Sequence, residues 1–267
     1  MNFDVLLLPN RLPKAKQMIM NMFSAVLAIA LVISAPMAWA QEKLNKWVEK
    51  IYTVERPAPT IIIGHGCGGF GDHEHGWARQ IQSWGYNAVI LDSFKPRGAF
   101  NGTCNKTIVM PGDRVHDVYE IAEALEKQSF HAGKIGYVGF SHGGSLALHL
   151  ANDEDNRRIS ASVAYYPGCH KWAMSKKGLF GERRSFSAPR IPAAMMLAEK
   201  DDWTPIKPCL EFVKDSNYQV QTYPNATHGF DMNLPRRQAY GWTLWYDQEA
   251  DADSRKKTRE FFDSNLR

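Results

Sequence analysis

The sequence predicts an α/β fold, a mostly parallel central sheet with helices on both faces, and three observations carry that prediction. Short apolar runs rich in β-branched residues alternate with longer stretches of helical periodicity. The apolar runs are continuous rather than alternating, as strands covered on both faces require. The 267 residues contain no repeat, low-complexity tract or linker, and that length suits one α/β domain with a sizeable core.

Thr60-Ile61-Ile62-Ile63-Gly64 reads as the first buried strand, followed by a helix around Gly76–Trp84 and a second strand at Asn87–Asp92. Pro111-Gly112-Asp113 opens a helix reaching about Gln128, with Asp113 as its N-cap. A strand at 134–140 runs into a helix from His142 to about Asn152. Strands Ile159–Tyr165 and Pro192–Ala198, a helix around Pro208–Asp215, strand Tyr218–Tyr223 and a closing helix from about Gln248 to Asn265 complete the alternation. The basic stretch Lys171–Arg190 has no clear period and reads as a cap insertion or a solvated surface loop.

The first forty residues stand apart. Lys14 and Lys16 precede an apolar run from Met22 to Ile33, then Ser34, Pro36 and the small-x-small sequence Ala38-Trp39-Ala40. That layout is a secretory signal cleaved after Ala40, leaving residues 41–267 as one domain in the periplasm or outside the cell. An uncleaved anchor is the competing reading, since Met22–Ala40 could span a bilayer, and Met18, Met20 and Met22 allow a later translation start. With residues 1–40 set aside, 29 basic groups face 27 acidic ones, which gives no case for nucleic acid; removal of the apolar run with the signal leaves no stable membrane insertion expected. Four cysteines, an even number in an exported chain, favour two disulfides over four free thiols.

Chemistry concentrates where strands end. Gly139-Phe140-Ser141-His142-Gly143 is Gly-x-Ser-x-Gly between a predicted strand and a predicted helix, the layout of a nucleophile elbow in an α/β-hydrolase fold. In that fold the acid and then the base follow the serine in chain order, each just after a strand. Asp201 and Asp202 follow strand 192–198, and His228 follows strand 218–223. The two aspartates are neighbours on an extended segment, so only one can face His228. A glycine-rich loop, His65-Gly66-Cys67-Gly68-Gly69, follows the first core strand; with the residue after the serine it would supply the oxyanion hole through the N–H groups of Cys67 and His142. Cys67 itself lies on the wrong turn to be a nucleophile. Asp72-His73-Glu74-His75 packs four potential metal ligands together, but no second cluster has zinc-like spacing, and a polar loop leading into a helix is the preferred reading.

Taken together, His65–Gly69, Asp92-Ser93-Phe94-Lys95-Pro96-Arg97-Gly98, Gly139–Gly143, Asp201-Asp202-Trp203-Thr204-Pro205 and His228-Gly229-Phe230 resemble the dienelactone hydrolase family over roughly residues 58–265. The resemblance implies that the acid lies four residues before Pro205, which is Asp201. It also implies an arginine that holds a substrate carboxylate; Arg97 is the candidate, a structural ion pair being the other reading. The family's namesake carries cysteine as nucleophile, whereas this chain has Ser141 and resembles the serine-bearing, exported branch. That implies cleavage of ordinary small-molecule esters without a cofactor. Cys67 and Cys104 follow neighbouring strands, as do Cys169 and Cys209, so the layout suggests those two pairings. Peptidase or amidase action, and a non-catalytic binding protein on the same fold, are the alternatives.

Overall fold

Residues 36–104, 108–170 and 188–267 are described by a computed structural model. The expected cap segment therefore lies almost wholly outside the described residues, as does the apolar run of the signal. Seven strands form one sheet: β1 (Val48–Tyr52), β2 (Ala58–Gly64), β3 (Asn87–Leu91), β4 (His131–Phe140), β5 (Ile159–Tyr165), β6 (Ala193–Ala198) and β7 (Gln219–Tyr223). Their spatial order is β1-β3-β2-β4-β5-β6-β7. All pairs are parallel except β1 with β3.

Two-residue alternation divides the core. Ile61 and Ile63 of β2, with Ala88 and Ile90 of β3, face Trp77 and Ile81 of α2 (Asp72–Ser83) and Phe261 and Phe262 of α6 (Gln248–Leu266). Ile62 and Val89 point the other way, towards α1 (helical at 36–47), α3 (Val115–Leu125) and α4 (His142–Asn152). Cys209 of the short α5 (Lys207–Val213) joins that second face. Because β2 to β7 run parallel, their C-terminal ends share one rim of the sheet, where the loops carrying the candidate residues converge.

Several boundaries differ from expectation. Helix α2 starts at Asp72 rather than Gly76, because Glu74 Oε2 accepts the Gly71 N–H at 2.8 Å and closes the first turn. Asp113 does not cap an α-helix; it sits in a 3-10 turn, Pro111–Arg114, and its carboxylate takes the Met110 N–H at 2.9 Å before α3 begins at Val115. Edge strand β1, VEKIY, went unpredicted because it is half-exposed and lacks an apolar run. A two-stranded hairpin, β8 (Arg237–Ala239) and β9 (Trp242–Leu244), also went unpredicted; Tyr240 and Gly241, both at positive φ, make its turn. Among the described residues, no helix is long and apolar enough to cross a membrane. Helix α1 runs through the expected cleavage point, with Ala40 fully buried in the core.

Candidate active site

Strand β4 delivers Ser141 to the rim and α4 leaves it at once. The turn forces Ser141 to φ 54°, ψ −111°, a conformation that costs a side-chain-bearing residue energy and projects Oγ away from the sheet. The flanking glycines are steric requirements. A Cβ on Gly139 would lie 2.0 Å from the Gly143 carbonyl oxygen, and one on Gly143 would lie 2.1 Å from that of Gly64.

Three loops meet at this serine. His228 Nε2 lies 2.8 Å from Ser141 Oγ, and His228 Nδ1 lies 2.8 Å from Asp201 Oδ2. Both His228 and Asp201 are buried. Asp201 is fixed by its own turn: Oδ1 accepts the N–H groups of Trp203 and Thr204 at 2.9 and 2.8 Å. The Thr204 hydroxyl donates to Oδ2 at 2.8 Å and lies 3.1 Å from His228 Nδ1. Asp202 points elsewhere; its exposed carboxylate accepts the Thr243 N–H of the hairpin. Beneath the imidazole, the Tyr166 ring packs with centroids 4.7 Å apart, and its hydroxyl donates to buried Asp231 at 2.7 Å.

On the other side of Ser141 the loop after β2 is clamped twice. Cys67 is bonded to Cys104, and Cys169 to Cys209, the two pairings suggested by the layout. From below, fully buried Arg114 donates through Nη1 to the His65 carbonyl at 3.0 Å and to His142 Nδ1 at 2.9 Å. His142 Nε2 in turn donates to the Val109 carbonyl at 3.0 Å. Burial, and then the adjacent Arg114 charge, push the His142 pKa down to about 3, so its ring is neutral and can accept. The same two causes hold His65 well below its usual value. Among the described residues, no hydrogen bond is donated by the backbone N–H of Cys67 or of His142. Sequence reading missed Arg114 and Thr204. For Arg114 a signal existed: it lies four and seven residues before Val118 and Ile121, a charge on the inward face of a helix.

The remaining candidates have other duties. Arg97 makes a bidentate pair with Asp117 at 2.6 and 2.8 Å, donates to the Ser93 and Asp113 carbonyls, and lies over the Trp47 ring. Both terminal nitrogens of its guanidinium are engaged, and it does not border the cleft at Ser141. Of the four residues at 72–75, His73 is wedged between Asp231 (2.8 Å) and Glu74, while His75 Nδ1 meets the Tyr52 hydroxyl at 2.8 Å. Burial alone would lower the His73 pKa, but the two carboxylates outweigh it and raise it to about 10. Burial opposes ionisation of Asp231 as well, yet its partners, His73 foremost, bring it down to about 2.

The chain matches the dienelactone hydrolase family over residues 50–266. It is 24% identical over 165 residues to the carboxymethylenebutenolidase homolog of Homo sapiens, a match covering 57% of this chain and 62% of that protein. The chain thus spans about two-fifths to three-fifths of the length of the curated relatives it matches. Among solved structures it resembles a dienelactone hydrolase-like promiscuous phosphotriesterase from metagenomic libraries, with TM-score 0.61, 20% identity, and 80% and 89% of the two chains covered. It also resembles an esterase from Pyrococcus furiosus, with TM-score 0.58, 18% identity, and 79% and 85% covered. At these identities the structural likeness establishes the α/β-hydrolase fold.

Proposed function

The chain belongs to the dienelactone hydrolase family, and we propose that it cleaves carboxylic esters of small molecules through an acyl-enzyme on Ser141. His228 Nε2 takes the Ser141 hydroxyl proton as Oγ bonds to the ester carbon. The carbonyl oxygen becomes an oxyanion received by the N–H groups of Cys67 and His142. Collapse of the tetrahedral adduct breaks the bond to the alcohol oxygen, which leaves with the proton held by His228. Water then repeats the sequence on the acyl-enzyme, releasing the acid and restoring the serine. Asp201 holds the imidazole in the required tautomer and balances its transient positive charge.

The observation that carries this reading is the unbroken hydrogen-bonded line from Ser141 through His228 to Asp201, anchored on a strained turn. A fluorophosphonate probe tests it. Wild type should be labelled on one serine, and Ser141→Ala should neither label nor hydrolyse p-nitrophenyl acetate; persistent labelling in that variant would refute the assignment. Export of the chain belongs to the same proposal, supported by two disulfides and by the signal-like N-terminus. Sequencing the N-terminus of protein recovered from the periplasm or medium should give Gln41 first.

A further inference from the structure

Two clefts meet at Ser141. The wider, about 470 Å³, is bordered by Phe70, Met232, Leu234, Tyr240 and Leu244. The narrower, about 270 Å³, is bordered by Thr103, Pro111, Ser145, His170 and Thr204. Ser141, Trp203 and the Cys67–Cys104 disulfide border both and form the wall between them. His228 faces the wider cleft alone, and His142 the narrower one alone.

Resting on the esterase reading above, we propose that the alcohol half of the substrate occupies the wider cleft and the acyl half the narrower. The enzyme is thereby selective for esters joining a short acyl group to a bulky apolar alcohol. Proton transfer sets the orientation. The departing alcohol oxygen must come within hydrogen-bond reach of His228 Nε2, so the alcohol leaves on the side that His228 borders. With the oxyanion directed at the N–H groups of Cys67 and His142, the acyl substituent is left the direction of the narrower cleft.

Lining chemistry reinforces the division. The wider cleft offers aliphatic, thioether and aromatic surface, where each buried methylene raises kcat/KM by roughly fourfold. The narrower one is edged by hydroxyls already committed. Ser145 Oγ donates to the Gly168 carbonyl at 2.9 Å, and Thr204 Oγ1 serves Asp201. Thr103 Oγ1 accepts the Ile108 N–H at 3.1 Å. Making room for a long acyl chain there would break these bonds, Thr204's to the acid included.

Two ester series decide the matter, both with aliphatic alcohols of similar acidity so that leaving-group reactivity stays constant. From ethyl acetate to hexyl acetate, kcat/KM should rise at least about tenfold; from ethyl acetate to ethyl octanoate it should fall by about tenfold or more. A rise along the acyl series, or no gain along the alcohol series, overturns the assignment while leaving the esterase reading intact, provided turnover disappears in Ser141→Ala. No Ser141-dependent turnover of any ester defeats the esterase reading and this inference with it. Met232→Trp, which narrows the wider cleft, should abolish the gain along the alcohol series and preserve the fall along the acyl series. Leu234→Trp, at an exposed position on the same cleft, gives the same readout should the first variant fold poorly.

Discussion

The two halves of the candidate site are held by opposite means. On the acid–base side the contacts that orient Asp201 come from residues two and three positions later in the same turn, Trp203 and Thr204. On the oxyanion side the clamps are long-range. Arg114 reaches the His65 carbonyl across 49 residues and His142 across 28, and the Cys67–Cys104 bond spans 37. A turn organises the first half; the assembled sheet and helices organise the second. Damage on the oxyanion side should therefore lower the rate while leaving the Ser141–His228–Asp201 line intact.

The largest expected effect lies on the local side. Asp201→Asn should lower kcat by roughly 10⁴, because an amide in place of the carboxylate no longer enforces the needed tautomer of His228. Asp202→Asn, one residue away, alters only an exposed contact to the hairpin and should cost less than about tenfold in kcat. Steady-state kinetics on p-nitrophenyl acetate checks both. Comparable losses in the two variants would mean that the turn acts as a unit.

Arg114→Met comes next. Losing the anchor of both expected oxyanion donors should reduce kcat by roughly 10²–10³, with KM little changed. Stability should behave differently. Nε and Nη2 of Arg114 have no partner among the described residues, and burial pushes its pKa down, so this charge is costly to keep inside. Replacement by a methionine of similar volume should leave the melting temperature unchanged or raise it. A variant that loses stability and rate together would make Arg114 a structural residue and erase the contrast between the halves.

The disulfides sharpen the comparison further. Removing either one as a double Cys→Ala variant should cost about 2–4 kcal/mol of stability. Only removal of Cys67–Cys104 also frees the oxyanion loop, where a loss of about 1.4 kcal/mol in transition-state binding gives tenfold in kcat. Removal of Cys169–Cys209 should change kcat by less. Denaturant melts and rates measured on the same preparations separate the two effects.

What could be read in advance follows the same division. The elbow at Ser141, the aspartate pair after β6 and His228 after β7 are each local strings at strand ends, visible without knowing what packs on what. The pairing of neighbouring loops by disulfides followed from strand adjacency. Arg97 illustrates the limit. Its string matched, yet the partner that consumes its guanidinium is Asp117, 20 residues later on the inward face of α3, and nothing in a linear reading pairs them. The β8–β9 hairpin that receives Asp202, and the half-exposed edge strand β1, carry weak periodicity because tertiary contacts rather than apolar pattern hold them. Helix α1 was obscured differently: its first turns coincide with a segment composed like an export signal.

The smallest effects, in pH, should set the halves apart once more. His73, under the cleft with Asp231, titrates at about 10 when folded against 6.5 as an unperturbed group. A raised pKa means that the folded state holds a proton the unfolded chain has lost. This stabilisation is complete below pH 6.5 and disappears as pH rises through about 10. Asp231, lowered from 3.8 to about 2, adds stability above pH 3.8 that is lost as pH falls through about 2. His142 has the opposite sign. Its folded pKa of about 3 lies below 6.5, so the unfolded chain takes up the proton first and stability declines as pH falls from 6.5 towards 3. Thermal melts from pH 4 to 10 should accordingly show His73→Gln losing part of the alkaline slope, and His142→Gln losing part of the acid slope. Because Tyr166 links Asp231 to the His228 ring, the alkaline loss belongs to the acid–base half and the acid loss to the oxyanion half. Should His73→Gln flatten the acid limb instead, the imidazole would be neutral in the fold, and the ion pair with Asp231 would have to be abandoned.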